Sequence, residues 1–352
     1  MSAEFRELLK KVGSGPHTSK ALTRSEAAQA AQLILDGTAT PAQIGAFLIA
    51  HRMKRPVAAE LAGFLDAFDR ACPPLVALDL RSRVVVLGTP YDGRDRTAPV
   101  TPVTALILAA AGVPALMHGG DRIATKFGLP LTEIWQALSV EFRHHNRSQL
   151  RQILGQTQLS FLYTPEHFPA TSIVNDYRAE IGKRPPIATV ELIWTPYTGP
   201  VHLIAGFVHP PTERFMQETL ALRGLQSYTL IKGLEGSGDL PRERTAIIST
   251  LYPGQAEPER VKLHARDYGL EGPDLPLNSL EELVGEIQTA LTGEETDYFR
   301  AAVWNGGFYL WAAGATESLE SGFAEARSLL KSGAAAEALA KVQQATQAPA
   351  LV

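Results

Sequence analysis

The chain has 352 residues, 45% apolar and 20% charged, with a net charge of −4 and an isoelectric point near 6.2. That length suits two hydrophobic cores better than one, and the composition excludes a disordered or fibrous protein. The acidic balance gives no global reason to expect a nucleic-acid partner. The single cysteine, Cys72, excludes an intramolecular disulfide and a cysteine-rich zinc site. A reducing cytoplasm is the expected location, with Cys72 a filler at a domain junction.

The first ten residues carry acid near their start and no apolar signal core, so they read as a helix of the mature protein. Phe5, Leu8, Leu9 and Val12 form its apolar stripe. Thr23-Arg-Ser-Glu26 is a capping box ahead of Ala27, Ala30, Ala31, Ile34 and Leu35 at helical spacing. Thr40-Pro41-Ala-Gln43 is a second, with proline at the first helical position. Pro56 opens a fourth helix holding Leu61, Phe64, Leu65 and Phe68. No strand pattern interrupts residues 1–72, which predicts an all-helical domain.

After Pro73-Pro74 the character changes. Arg83 to Leu87 is a β-branched run of the buried-strand type. A turn at 88–101, an alanine- and leucine-rich helix to Gly112 and a strand from Pro114 to Met117 follow. Strand, turn, helix, strand is the signature of a parallel sheet. Further strands are predicted at Ser160–Tyr163, Val201–Val208 and Tyr228–Lys232, with a helix at Thr171–Ile181 and terminal helices at Tyr298–Ala313 and Glu317–Leu330. The tail from Gln343 to Val352 has little to bury and should fray. The longest apolar stretch, Val103 to Met117, is broken by Thr104, Gly112 and Pro114, so no membrane partner is expected.

Two loops carry the candidate chemistry. The turn Gly88-Thr-Pro-Tyr-Asp-Gly-Arg-Asp-Arg-Thr-Ala-Pro-Val-Thr101-Pro102 joins a strand to a helix start, where unpaired amides and the helix dipole favour an anion. Thr101 can cap that helix, and Arg94 and Arg96 add guanidinium forks suited to phosphate. The second, Met117-His118-Gly-Gly-Asp121-Arg122-Ile-Ala-Thr125-Lys126-Phe-Gly128, follows the next strand and should face the first. His118 could contact a substrate or pack beneath the loop; Lys126 could hold a diphosphate or sit in solvent.

These two loops resemble the Gly-Thr-Gly-Gly-Asp turn and the Lys-His-Gly-Asn segment of the anthranilate phosphoribosyltransferases, in glycosyltransferase family 3. The likeness extends to Gln43-Ile-Gly-Ala-Phe-Leu-Ile-Ala-His-Arg-Met-Lys54 and Glu60-Leu-Ala-Gly63 in the helical part. Near the C-terminus it includes Asn305-Gly-Gly-Phe-Tyr-Leu, Gly314 and Ser332-Gly-Ala-Ala. The resemblance implies an α/β protein in which a small N-terminal helical domain joins a larger domain with a mainly parallel sheet. On this reading residues 1–72 and a returning segment at about 165–192 are helical, and 73–164 with 193–352 are α/β. It also implies a homodimer joined through the helical domain and a cleft for a small phosphorylated ligand.

Carried over residue by residue, Gly88, Thr89, Asp92, Gly93, Arg94, Arg96, Thr101 and Lys126 are the expected phosphate or diphosphate ligands. His118 and Arg178 are the expected acceptor contacts, and Asp239 with Glu235 the expected magnesium ligands. The motif is altered: Pro90 and Tyr91 replace two glycines and Met117 replaces a lysine. Gly238-Asp239 stands where the family has an Asp-Glu pair, so the magnesium site is expected to be weakened. These positions imply a phosphoribosyltransferase-like protein that binds a phosphorylated sugar and transfers a pentosyl group to an unidentified acceptor. Two alternatives stand beside it. One is a non-catalytic nucleic-acid or polyanion-binding dimer, as in a divergent branch with a similar altered turn, for which Arg143-His-His-Asn-Arg147-Ser-Gln-Leu-Arg151 is the candidate basic patch. The other is a slow anthranilate phosphoribosyltransferase of tryptophan biosynthesis.

Overall fold

The structure, a computed structural model, describes residues 2–347 apart from Pro16. Four helices open the chain: α1 (Ala3–Gly13), α2 (Arg24–Leu35), α3 (Pro41–Lys54) and α4 (Ala58–Ala71). Both expected capping boxes form, Thr23 with Glu26 and Thr40 with Gln43, each side chain satisfying the other's free backbone N–H. Glu60 ties this lobe together from a fully buried position. Its carboxylate accepts bonds from Leu22 N at 2.8 Å, Val57 N at 2.8 Å and Lys54 Nζ at 2.9 Å. Burial alone would raise its pKa, but hydrogen bonding to His51 and these donors holds it at about 2.

The α/β part follows as β1 (Val84–Leu87), α5 (Thr101–Ala110), β2 (Ala115–Gly119), α6 (Leu131–Ala137), α7 (Arg147–Thr157) and β3 (Leu159–Tyr163). The chain then leaves the sheet through α8 (Thr164–His167), α9 (Ile173–Ile181) and α10 (Val190–Ile193). In this segment α9 packs on α2 and α3, and the turn before α10 packs on α3 and α4. It returns as β4 (Val201–Gly206), α11 (Pro210–Leu222), β5 (Tyr228–Ile231), β6 (Ala246–Leu251) and β7 (Glu259–Leu263). Helices α12 (Leu280–Leu291), α13 (Asp297–Ala312), α14 (Leu319–Lys331) and α15 (Ala334–Gln347) complete it.

The strands form one sheet ordered β3-β2-β1-β4-β5-β6-β7, parallel from β3 through β5 and antiparallel at β6 and β7. The last two strands were not expected. β7 is largely exposed and polar, Glu-Arg-Val-Lys-Leu, so it lacks the apolar run that reveals a central strand. The expected fraying of the tail is also corrected up to Gln347, since α15 buries Val342 and Thr346 and Gln343 donates to the Leu138 carbonyl at 2.8 Å; residues 348–352 lie outside the described residues. Among the described residues no helix is long and apolar enough to cross a membrane.

Two histidines inside the α/β part make stability depend on pH. Burial pushes His118 down to about 4 against a bond to the Trp194 carbonyl; burial and the nearby Arg83 push His202 to about 4. Folded values below the ordinary 6.5 of a free imidazole mean that the unfolded chain takes up protons first. The stability contributed by neutral burial is complete above pH 6.5 and falls as pH drops to about 4. At about 1.4 kcal/mol per pKa unit, several kcal/mol should be lost across that window. Urea unfolding between pH 7 and 4 should show this slope, and His202→Gln should flatten part of it. The Glu60 contribution has the opposite charge type: it is present above 4.5 and lost as pH falls through about 2.

Candidate active site

The sheet changes direction at β1, with β2 and β3 on one side and β4 and β5 on the other. In open parallel sheets a ligand crevice forms at the carboxyl ends of the strands at such a point. The β1–α5 turn and the β2–α6 loop meet there and are zipped together. Arg94 N donates to Leu129 O at 3.1 Å, Leu129 N returns a bond to Arg94 O at 2.7 Å, and Gly128 N reaches Asp92 O at 2.9 Å. The contact demands glycines. Gly93 has φ +74°, and a Cβ there would meet the Gly128 carbonyl at 2.5 Å.

Thr89, Gly93, Arg94 and Thr101 line one cleft beside the start of α5. Gly88 borders a smaller void, pressed against the Leu192 carbonyl. Thr101 is the first residue of α5 rather than its cap, because its hydroxyl donates instead to Asp239 Oδ1 at 2.9 Å. Arg96 is solvent-exposed at the rim, 3.8 Å from Glu235. Asp92 is buried behind the turn, 3.6 Å from Arg184.

The expectation of free guanidinium and ammonium groups is corrected by burial. Arg94 is 4% exposed, with Nη1 donating to Asp239 Oδ2 at 2.8 Å and Ser237 Oγ at 2.7 Å, and Nε to Glu235 Oε1 at 3.3 Å. Nη2 bonds the Thr97 hydroxyl. Lys126 Nζ lies 3.0 Å from Glu235 Oε2. Both carboxylates offered as magnesium ligands are therefore already paired with cations. Burial would raise the Glu235 pKa, yet hydrogen bonds from Asp95 and Lys126 and the charge of Arg94 hold it well below the ordinary range. Magnesium needs near-octahedral oxygen ligands at about 2.0–2.1 Å, several of them waters. The pair does not fit that requirement, and no cluster of three or more metal-ligating side chains exists among the described residues.

His118 packs beneath the loop, fully buried, rather than facing the cleft. Its Nε2 donates to the Trp194 carbonyl at 3.1 Å, so the neutral ring leaves Nδ1 to accept from Tyr91 Oη at 2.5 Å. Removing that donor while keeping the ring, Tyr91→Phe, should cost about 1–3 kcal/mol by leaving a buried acceptor unpaired. Thermal unfolding checks this; an unchanged Tm would show that water replaces the hydroxyl.

Arg178 is 2% exposed, not a solvated helix residue. Nη1 donates to Glu191 Oε2 at 2.7 Å, while Nε and Nη2 have no partner. Arg178 borders a second cavity, lined by Phe68, Tyr91 and Ile187 together with the polar Thr171, Asn175 and Glu191. Tyr91 lines both cavities and is the wall between them. Glu191 and Arg184, joined at 2.9 Å, are site residues that no sequence motif marks. A carboxylate inside the apolar run Ala188-Thr-Val-Glu-Leu-Ile-Trp194 was the available signal, because such a charge must find a buried partner.

The arginines of the candidate basic patch are half-buried and have partners within the chain. Arg147 donates to Pro73 O, Arg151 to Val76 O and Ala77 O, and Arg143 pairs with Glu141. Arg147 and Arg151 brace the connection after α4 at Pro73–Ala77, while the Arg143 pair is local.

Residues 6–72 match the model of the glycosyl transferase family's helical bundle domain, and residues 84–336 that of its a/b domain. The anthranilate phosphoribosyltransferase of Azorhizobium caulinodans is 28% identical over 353 aligned positions, covering 98% of this chain and 97% of that protein. The Verminephrobacter eiseniae enzyme of the same name is 26% identical, covering 89% and 90%. Two solved structures share the fold. The Thermus thermophilus anthranilate phosphoribosyltransferase has a TM-score of 0.80 at 23% identity, covering 97% and 99%. The Saccharomyces cerevisiae enzyme in complex with phosphoribosyl diphosphate and magnesium has a TM-score of 0.84 at 16%, covering 98% of each. With both domain models matched in order along most of its length, this chain belongs to glycosyl transferase family 3.

Proposed function

We propose that the protein is a phosphoribosyltransferase of the anthranilate type. It holds phosphoribosyl diphosphate in the cleft at the start of α5 and an aromatic carboxylate in the cavity at Arg178. The observation that carries this reading is the Arg178 guanidinium, buried with two donors unpaired beside a cavity lined by Phe68, Tyr91 and Ile187 as well as by polar Thr171, Asn175 and Glu191. A buried charged donor left unpaired costs free energy, and a carboxylate on a flat apolar body satisfies it. The names of the curated relatives support the same substrate pair. So do the Saccharomyces cerevisiae structures, one holding phosphoribosyl diphosphate and another 4-fluoroanthranilate.

In the reaction, the acceptor amine forms a bond to the ribose anomeric carbon while the bond from that carbon to the diphosphate oxygen breaks. The amine loses a proton and diphosphate leaves with the bonding pair. Thr89 and Thr101 line the cleft beside the start of α5 that would receive the departing anion. Because Tyr91 separates the cavities, its ring must leave His118 for the amine to reach the donor.

Anthranilate fluorescence followed in the presence of phosphoribosyl diphosphate tests the proposal. Disappearance of anthranilate with one diphosphate released per turnover is expected. Absence of turnover, together with no binding heat for either substrate, would overturn it.

The exposed Ile49, Met53 and Val57 on and beside α3 support a homodimer through the helical lobe. Met53→Asp should shift the protein from dimer to monomer in size-exclusion chromatography with light scattering. A wild-type monomer would remove this part of the reading.

A further inference from the structure

We propose that the Glu235–Asp239 pair is a closed internal ion network with Arg94 as its resident cation, so that a diphosphate binds here without a divalent metal. The diphosphate clause rests on the donor site proposed above; the statement about the ion network stands on geometry alone.

Every carboxylate oxygen of the pair is engaged. Asp239 Oδ1 accepts from the Thr101 hydroxyl at 2.9 Å, and Oδ2 accepts from Arg94 Nη1 at 2.8 Å and Val100 N at 3.1 Å. Glu235 Oε1 accepts from Thr97 N at 2.9 Å, the Thr97 hydroxyl at 2.8 Å, Arg96 N at 3.1 Å and Arg94 Nε at 3.3 Å. Its Oε2 accepts from Lys126 Nζ at 3.0 Å and Asp95 N at 3.3 Å. Both side chains are 2% exposed.

Two roles are filled from within. The consecutive amides of residues 95–97 form a concavity of the kind that receives anions, and the Glu235 carboxylate occupies it. To reach them, Glu235 adopts φ 52° and ψ 23°, a left-handed conformation that non-glycine residues take at a cost of about 1–2 kcal/mol. The bonds to Oε1 and Oε2 offset that cost. Between the two carboxylates, where a cation would be drawn, lies the guanidinium. Asp95, Glu235 and Asp239 against Arg94, Arg96 and Lys126 balance in charge. Inserting a dication would leave a net positive interior and require Arg94 to be expelled from a buried position.

Manganese, read by electron paramagnetic resonance of the free ion, probes the pair in the full-length protein directly. Wild type should leave the free-ion signal unreduced, whereas Arg94→Met should bind one manganese and Arg94→Met with Asp239→Asn should lose it. Manganese binding by the wild type that disappears in Asp239→Asn would overturn the proposal, and this arm decides it even if Arg94→Met does not fold. Calorimetry with pyrophosphate supplies the second arm. The affinity should be the same in EDTA as in magnesium, and binding at least about tenfold weaker in EDTA overturns metal-independence. No pyrophosphate heat under either condition sinks the donor-site reading instead, leaving the manganese result to decide the network.

Discussion

Asp239→Ala is expected to lower the unfolding free energy by about 3–5 kcal/mol, because it strands a charge in the interior. Arg94 is 4% exposed and loses its 2.8 Å partner, while Thr101 Oγ1 and Val100 N lose their acceptor in the same step. Glu235 remains, but its Oε1 is 3.3 Å from Arg94 Nε and already serves Thr97 and Arg96. Urea denaturation should show a lower midpoint at an unchanged m-value. Pairing the change with Arg94→Met should recover much of the loss, since removing both charges leaves neither unpaired. A loss under about 1 kcal/mol in the single variant would mean that Arg94 reaches solvent, contrary to the geometry.

Arg178→Met is expected to abolish aromatic-acid binding while leaving pyrophosphate binding intact. Two charge-assisted hydrogen bonds at about 1.5–3 kcal/mol each correspond to a weakening on the order of a hundredfold or more. The fold should survive, because Glu191 keeps Arg184 at 2.9 Å and accepts from Tyr91 N at 3.4 Å. Arg178→Lys should not restore affinity, since a single ammonium cannot present the two-pronged donor. Calorimetry with anthranilate, benzoate and pyrophosphate separates the two cavities. Undiminished anthranilate binding by Arg178→Met would place the carboxylate elsewhere.

Much of the fold was legible locally. The capping boxes at Thr23 and Thr40, the buried run of β1 and the strand-turn-helix-strand unit from Arg83 to Met117 are written in neighbouring residues. The β6–β7 hairpin was not, because an edge strand with one exposed face carries a weak pattern. The site was legible as a place and misread as chemistry. Gly88 to Thr101 and Met117 to Gly128 do converge, yet His118 turned inward and the arginine counted as a phosphate ligand became a structural cation.

By itself the sequence determined the helical lobe, the parallel core of the sheet and the family, since these follow from short-range periodicity, caps and motif order. Only the tertiary structure decided which charges meet. Arg94 and Glu235 are separated by 141 positions, Arg94 and Asp239 by 145, and Tyr91 and His118 by 27. No local pattern reports such pairings. Burial makes them necessary, because a charge taken out of water must find its partner wherever the fold places one.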